Sequence, residues 1–439
     1  MNRLWKKLVI VVILCSLSFS FSACKILGSC NRVMKTLSKV AFKADPGPYV
    51  PFALLPREKE GIDHPELTWD YRWSEDDFTL TQDSPVVDEN DNIYWLDYKF
   101  NFYALDSNGE LKWEKKRYME PLEASRDGLL VSPLIFNRQQ YIDFDGNSIW
   151  KSKISSSDLA FAPNGYLICS SYNSLMSLDS QGKLMWYAYI EEESYDLFML
   201  DACFFDIESN GYYIYRAIQS EQGLGKHHDF MISLSPEGKI RWKKILSENE
   251  TLIIGFVPHK DTLVKDVFLL AYNSAVMNED LDGIYTAERS LPKRIVAYST
   301  EGKELWEIEE TRGGMFEHGY AIGSDNRFYY AFNEYSPLED YWDLVSGHLN
   351  CRASDGHLLW SKALGCGIDS GLVMDKDHSI YFGSYNPDNK IYALYPDGSQ
   401  KWEIPVELDF SFSLLLGHQK ALYVFSNPKA LIYCVQESR

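Results

Sequence analysis

From residue 84 onward the chain alternates short apolar runs with polar clusters. Ser84-Pro85-Val86-Val87, Asn92-Ile93-Tyr94-Trp95-Leu96, Gly371-Leu372-Val373-Met374 and Ser379-Ile380-Tyr381-Phe382-Gly383 illustrate the runs, and Asp88 to Asp91 and Asp375 to Asp377 the clusters. The runs are too short for amphipathic helices and rich in side chains that suit a pleated, half-buried surface, so they predict strands. The clusters hold turn formers: Asp and Asn bond back to their own backbone, and Gly reaches positive φ.

A second pattern lies over the first. Gly followed four places later by Trp occurs at Gly109/Trp113, Gly146/Trp150, Gly182/Trp186, Gly238/Trp242, Gly302/Trp306, Gly356/Trp360 and Gly398/Trp402. Composition alone gives roughly one such pair, so the series is a repeat. Each pair closes the same frame: an apolar run, a polar turn, the Gly, then a short strand carrying the Trp. Examples are Tyr103-Ala104-Leu105-Asp106-Ser107-Asn108-Gly109 and Tyr392-Ala393-Leu394-Tyr395-Pro396-Asp397-Gly398. The frame predicts a hairpin with glycine in its turn. Two further runs upstream make four strands per unit, A to D. Successive tryptophans lie 37, 36, 56, 64, 54 and 42 residues apart. Four-stranded antiparallel units at such intervals predict an all-β fold, the radial β-propeller.

The ends set the number of blades. After Trp402 come three runs, Phe412 to Leu416, Ala421 to Phe425 and Ala430 to Val435, with no fourth before Arg439. Before the first full unit lies Leu67-Thr68-Trp69-Asp70-Tyr71-Arg72-Trp73, a D strand without its own A, B and C. The N-terminal strand is therefore expected to complete the last blade and pair antiparallel with Ala430 to Val435, which closes a ring of eight blades and leaves no open sheet edge. Seven blades, with the terminal runs packed otherwise, is the alternative.

The frame Ala104-Leu105-Asp106-Ser107-Asn108-Gly109-Glu110-Leu111-Lys112-Trp113 resembles the tryptophan-docking repeat of the pyrroloquinoline quinone (PQQ) propeller superfamily, over roughly residues 67 to 439. The resemblance implies that Trp113, Trp150, Trp186, Trp242, Trp306, Trp360 and Trp402 are sandwiched between blades as docking residues. WD-repeat propellers place an Asp after the Trp, which none of these units does, and sialidase-type Asp boxes have one residue fewer between the Gly and the aromatic.

The charge changes the picture at the N-terminus. The chain holds 43 Lys+Arg against 63 Asp+Glu, a net charge of -20 that opposes binding to a nucleic-acid backbone. Residues 1 to 43 nevertheless carry eight basic side chains and no acidic one. Arg3, Lys6 and Lys7 precede the apolar run Leu8 to Leu14, and Phe21-Ser22-Ala23-Cys24 follows where a cleavage site belongs, so residues 1–23 read as a signal peptide. Ser22-Ala23-Cys24 resembles the lipobox of bacterial lipoproteins, although Phe21 stands where Leu is usual. Leu27-Gly28-Ser29-Cys30 has the better local pattern but puts Lys25 between the apolar run and the cut, so Cys24 is the expected lipidation site. Lys25, rather than Asp, after that cysteine favours the outer membrane. Residues 24–66, with Pro46, Pro48, Pro51, Pro56 and Pro65, read as a tether and residues 67–439 as the propeller. The remaining cysteines are widely spaced and lie mostly in apolar runs, which predicts buried thiols rather than a disulfide framework.

Catalytic signatures are sparse. Quinone-dependent members of the superfamily use two adjacent cysteines and a Ca²⁺ site, and this chain has no Cys-Cys pair. There is no zinc-protease helix, no nucleophile elbow and no phosphate loop, since Gly223-Leu224-Gly225-Lys226 lacks the spacing and the hydroxyl. His227-His228-Asp229 reads as a solvated loop, because neighbours on an extended chain point to opposite faces and cannot share a metal. No catalytic residue, metal or cofactor is expected, PQQ included.

The three longest units owe their length to segments near Ala217 to His228, Asn273 to Pro292 and Asn333 to Gly347, each between strands B and C. Antiparallel alternation brings the B–C connections out on one face. Asp280, Asp282, Glu339, Asp340 and Trp342 are the candidate partner rim there, acidic and bearing an aromatic anchor. The expectation is a monomeric, non-catalytic lipoprotein propeller of the cell envelope that binds or scaffolds a protein partner. In architecture it resembles the lipoprotein propeller of the outer-membrane barrel-assembly machinery. A PQQ-dependent envelope oxidoreductase and a carbohydrate or small-ligand binder are the alternatives.

Overall fold

The computed structural model describes residues 48–438 apart from 55–58, 75–84, 98, 117–118, 134–137, 156, 172–173, 191–196, 219–226, 249–250, 257–262, 280–284, 289–292, 311–313, 324, 338–341, 369, 386–388, 407–411 and 427–429. The chain is an eight-bladed β-propeller. Blade 1 comprises Val86–Val87, Ile93–Leu96, Asn101–Leu105 and Leu111–Lys116; blade 2, Met119–Ala124, Leu129–Pro133, Arg138–Ile142 and Ser148–Ser155. Blade 3 comprises Ser157–Phe161, Leu167–Ser171, Ser174–Leu178 and Leu184–Tyr189; blade 4, Leu197–Asp206, Gly211–Ile218, His227–Leu234 and Ile240–Glu248. Blade 5 comprises Thr251–Phe256, Val267–Glu279, Lys293–Ser299 and Glu304–Glu310; blade 6, Gly314–Ile322, Phe328–Pro337, Trp342–Arg352 and Leu358–Leu364. Blade 7 comprises Gly367–Ile368, Ile380–Tyr385, Lys390–Leu394 and Gln400–Pro405. Blades 4, 5 and 7 each gain a short extra strand, Leu263–Val264, Tyr285–Glu288 and Val373–Met374.

Blade 8 is built from both ends of the chain. Phe412–Leu416, Ala421–Ser426 and Leu431–Glu437 supply A, B and C, and Pro65–Arg72 supplies D. The closing pair is antiparallel, from Pro65↔Glu437 to Arg72↔Leu431, with an irregularity between Leu67 and Trp69. Trp73 N extends it by donating to Ala430 O at 3.0 Å. Closure thus follows the expected route.

Among the described residues the core consists of eight apolar clusters, and each lies at one blade junction rather than within a blade. At the junction of blades 8 and 1, for example, Trp95 stacks on Tyr103 with ring centroids 4.8 Å apart and lies against Phe425 at 6.2 Å. In blade 1 the B and C strands are buried, whereas the D strand Leu111–Lys116 is exposed or half-buried. First strands of neighbouring blades approach one another around the axis.

Candidate functional site: the junctions and the two faces

All the docking tryptophans but Trp402 obey one rule. Nε1 of Trp69, Trp113, Trp150, Trp186, Trp242, Trp306 and Trp360 donates to the carbonyl of Ser107, Phe144, Ser180, Pro236, Thr300, Ser354 and Pro396 respectively, at 2.8 to 3.1 Å. In every case the acceptor lies two residues before the turn glycine of the following blade. A Cβ on Gly109, Gly182, Gly238, Gly302, Gly356 or Gly398 would stand 2.5 to 3.1 Å from the preceding blade's indole. These glycines have φ between 74° and 86°, so each serves both the turn and the close approach. The Gly and the Trp of one repeat therefore act at opposite sides of their blade. Trp69 is an eighth member of the series.

On the A–B and C–D face, carboxylates organise the turns. Asp88 accepts the N–H groups of Asn90 and Asn92, each at 2.9 Å, the Asn92 side-chain amide at 2.7 Å and the Tyr94 hydroxyl at 2.9 Å. Asp206 repeats this with Glu208, Asn210 and Tyr212, and Asp375 with Asp377, Ser379 and Tyr381. The Asp97 turn with Asn101 and Tyr103 is the same device at a B–C connection. Burial, reinforced by these carboxylates, pushes the Tyr94, Tyr103 and Tyr212 hydroxyls well above the usual phenol range. The Asp-x3-Asn/Ser-x-Tyr spacing was available in the sequence as a signal. It identifies carboxylates whose lone pairs are already used by the fold.

Two segments that the sequence places in the tether lie on this face. Phe52 N donates to Gly165 O at 2.6 Å, Arg126 N to Ala53 O and Ser180 N to Val50 O, both at 2.8 Å. The buried Phe52 ring packs on Phe161 and Tyr141 at 4.7 and 5.2 Å. Farther along, Lys376 N donates to Lys59 O, Ile62 N to the Tyr381 hydroxyl, and Trp402 Nε1 to Ile62 O at 2.7 Å. Lys401 Nζ bridges Asp63 at 2.8 Å and approaches Asp375 at 3.8 Å. Its hydrogen bond holds the Asp63 carboxyl below the usual range. Asp91 joins blades 1 and 8 by accepting the N–H groups of His418 and Gln419 at 2.6 and 3.0 Å, while burial raises its pKa.

The opposite face carries the B–C connections. In blades 5 and 6 the insertions are not loops throughout: the B strands run on beyond the blade as paired arms. Val276–Glu279 pairs with Tyr285–Glu288, and Phe328–Pro337 pairs with Trp342–Arg352 along its whole length. Trp342 begins the third strand of blade 6 opposite Pro337. Asp280, Asp282, Glu339 and Asp340 lie outside the described residues, as does Cys24. His227, His228 and Asp229 form the start of a strand instead of a loop, and Asp229 is fully buried against Arg216, whose Nε lies 2.9 Å away. The sequence missed this because the ion pair depends on Arg216 in the neighbouring strand, directly opposite Asp229.

Cys169, Cys203, Cys351, Cys366 and Cys434 are not joined in disulfides. Burial pushes Cys351 up to about 11 and Cys434 to about 12, so both remain protonated and unreactive at neutral pH. Among the described residues, no group of three or more His, Cys, Asp or Glu side chains could hold a metal ion.

No protein-family model matches the chain, and no curated protein matches it by sequence. Solved structures do. The crystal structure of BamB from Moraxella catarrhalis, a PQQ-like β-propeller, superposes with a TM-score of 0.50 at 11% identity, covering 85% of this chain and 99% of that one. The Dos1 propeller superposes with a TM-score of 0.51 at 13% identity, covering 85% of this chain and 96% of that one. At such identities the likeness shows the propeller fold.

Proposed function

We propose that this chain is a non-catalytic lipoprotein propeller of the cell envelope, exported by residues 1–23, held to a membrane through Cys24 and binding a protein partner on the B–C face. The observation that carries the reading is the pair of arms on blades 5 and 6, built from extended B strands on one face, while the other face is occupied in part by the chain's own residues 48–54 and 59–64. Residues 276–288 and 334–343 contain Glu279, Asp280, Asp282, Glu288, Glu334, Glu339, Asp340 and Asp343 and neither Lys nor Arg. That charge suits a basic partner surface and steers its approach. The saturation of the turn carboxylates by internal donors supports a structural rather than a catalytic role for them. The test is capture from detergent-solubilised envelope, after mass spectrometry has located the acyl group on the N-terminal peptide. Trp342→Ala combined with Asp340→Lys is expected to lose the partner while stability stays within about 1 kcal/mol. Equal recovery by wild type and variant contradicts the reading.

A further inference from the structure

We infer that Asp91 of blade 1 serves as the turn carboxylate of blade 8, and that this loan of a side chain selects blade 1 as the neighbour of blade 8 when the ring closes. The A–B turns of blades 1, 4, 6, 7 and 8 share one hydrogen bond, from the first residue to the fifth: Asp88 N to Asn92 O, Asp206 N to Asn210 O, Gly323 N to Arg327 O, Asp375 N to Ser379 O and Gly417 N to Ala421 O, at 2.7 to 3.1 Å. The fourth residue of each, Asp91, Ser209, Asn326, His378 or Lys420, has φ between 52° and 67°. A tyrosine stands six places after the first residue in all five, at Tyr94, Tyr212, Tyr329, Tyr381 and Tyr423. In blades 1, 4 and 7 the first residue is the Asp that organises the turn. Blades 6 and 8 have Gly323 and Gly417 there.

In blade 8 the missing side chain comes from the next blade. A Cβ on Gly417 would stand 2.6 Å from Asp91 Oδ2 and 3.0 Å from Oδ1. The carboxylate of blade 1 therefore occupies the place that a side chain of blade 8 would take. There it accepts the N–H groups of His418 and Gln419 at 2.6 and 3.0 Å, the task that Asp88 performs for Asn90 and Asn92 in its own turn. Asp91 is fully buried, so its charge depends on such donors. Burial, and after it the charge of Asp91, pushes the Tyr423 hydroxyl above the usual phenol range, as burial and Asp88 do for Tyr94.

Blade 6 repeats the arrangement with different chemistry. The position of a Cβ on Gly323 lies 2.5 Å from Asp325 Oδ1 of its own turn and 3.5 Å from the ring of His378. His378 belongs to blade 7 and holds the same turn position there as Asp91 does in blade 1. A glycine in one blade is thus matched to the fourth turn residue of the next. Among these five turns only blade 1 has an acid at the fourth place. The donors of blade 8 therefore fit blade 1, and Ser209, Asn326, His378 or Lys420 would bring no carboxylate to them.

The test is a double-mutant cycle on the full chain, read as the urea midpoint and as amide exchange. Asp91→Gly keeps the left-handed backbone and removes the carboxylate, whereas Gly417→Asp sets a second carboxylate against it. Each single variant is expected to lower the midpoint. In Asp91→Gly, exchange over residues 417–423 should quicken by about tenfold, the worth of one hydrogen bond to a charged group, while residues 206–212, organised by Asp206, stay unchanged. The double variant gives blade 8 a turn carboxylate of its own and should regain more than half of the summed loss. Losses that simply add overturn the inference, as does unchanged exchange over residues 417–423 in Asp91→Gly. Where Gly417→Asp alone does not fold, the double variant still decides: a midpoint above that of Asp91→Gly supports the loan, and one at or below it overturns it.

Discussion

Trp402 Nε1 donates to the carbonyl of Ile62 at 2.7 Å, across a separation of 340 residues. Every other docking tryptophan finds a carbonyl in the C–D turn of the next blade. Blade 8 has no such turn, because its third and fourth strands come from opposite ends of the chain. Ile62, three residues before the closing strand, supplies the missing acceptor and is itself fully buried. Trp402→Phe keeps a ring and removes the donor, leaving that carbonyl unpaired at a cost of about 1–3 kcal/mol. Trp306→Phe is expected to cost less, since its bond to Ser354 is solvent-exposed and water can substitute. Urea unfolding of the two variants checks the order.

Phe52 is expected to anchor the N-terminal segment. Truncation to Ala removes a buried ring from between Phe161 and Tyr141 and should cost about 3–5 kcal/mol. A shift in unfolding free energy below about 0.5 kcal/mol, the level of an ordinary surface change, would show that residues 48–54 contribute nothing to the ring.

Gly238 and Gly146 separate the two duties of the repeat glycine. Their φ angles are nearly equal, 77° and 76°. A Cβ at Gly238 would stand 2.5 Å from the Trp186 indole, whereas at Gly146 the nearest atom is the flexible end of Lys115, 3.0 Å away. Both alanine variants incur left-handed strain of about 1–2 kcal/mol. Gly238→Ala should lose a further 1–3 kcal/mol, roughly the cost of overpacking, and equal losses would mean that the indole contact carries no weight.

Alkali should unfold the protein before it ionises the buried tyrosines. Burial raises Tyr94, Tyr212, Tyr381 and Tyr423 above their unfolded value of 10.0. A group with a raised folded pKa contributes stability that is complete below the unfolded value and is lost as pH climbs above it. A spectrophotometric titration should therefore show a silent class of tyrosines that ionises only with loss of the fold. A smooth titration with the fold intact would contradict this.

Ring closure was legible because Leu67 to Trp73 looks like a D strand with no unit of its own and Phe412 to Val435 like a unit with no D strand. Trp69 escaped the Gly-x3-Trp count since Pro65 stands four places before it, and the last blade needs no glycine turn there. The packing of Phe52 and Ile62 was invisible for a different reason. Single apolar residues in irregular, proline-interrupted chain have no period, and only the ring supplies their partners. In the arms, tertiary placement continues strands through segments whose local pattern reads as insertion.

The central claim is that the B–C face meets the partner. The most direct measurement places a photo-crosslinking amino acid at Glu288 or Trp342 on that face, and at the exposed Asp377 or Asp397 on the other, in cells making the full chain. The account predicts one shared partner adduct from Glu288 and Trp342 and none from Asp377 and Asp397. Adducts arising only from Asp377 and Asp397 would contradict it.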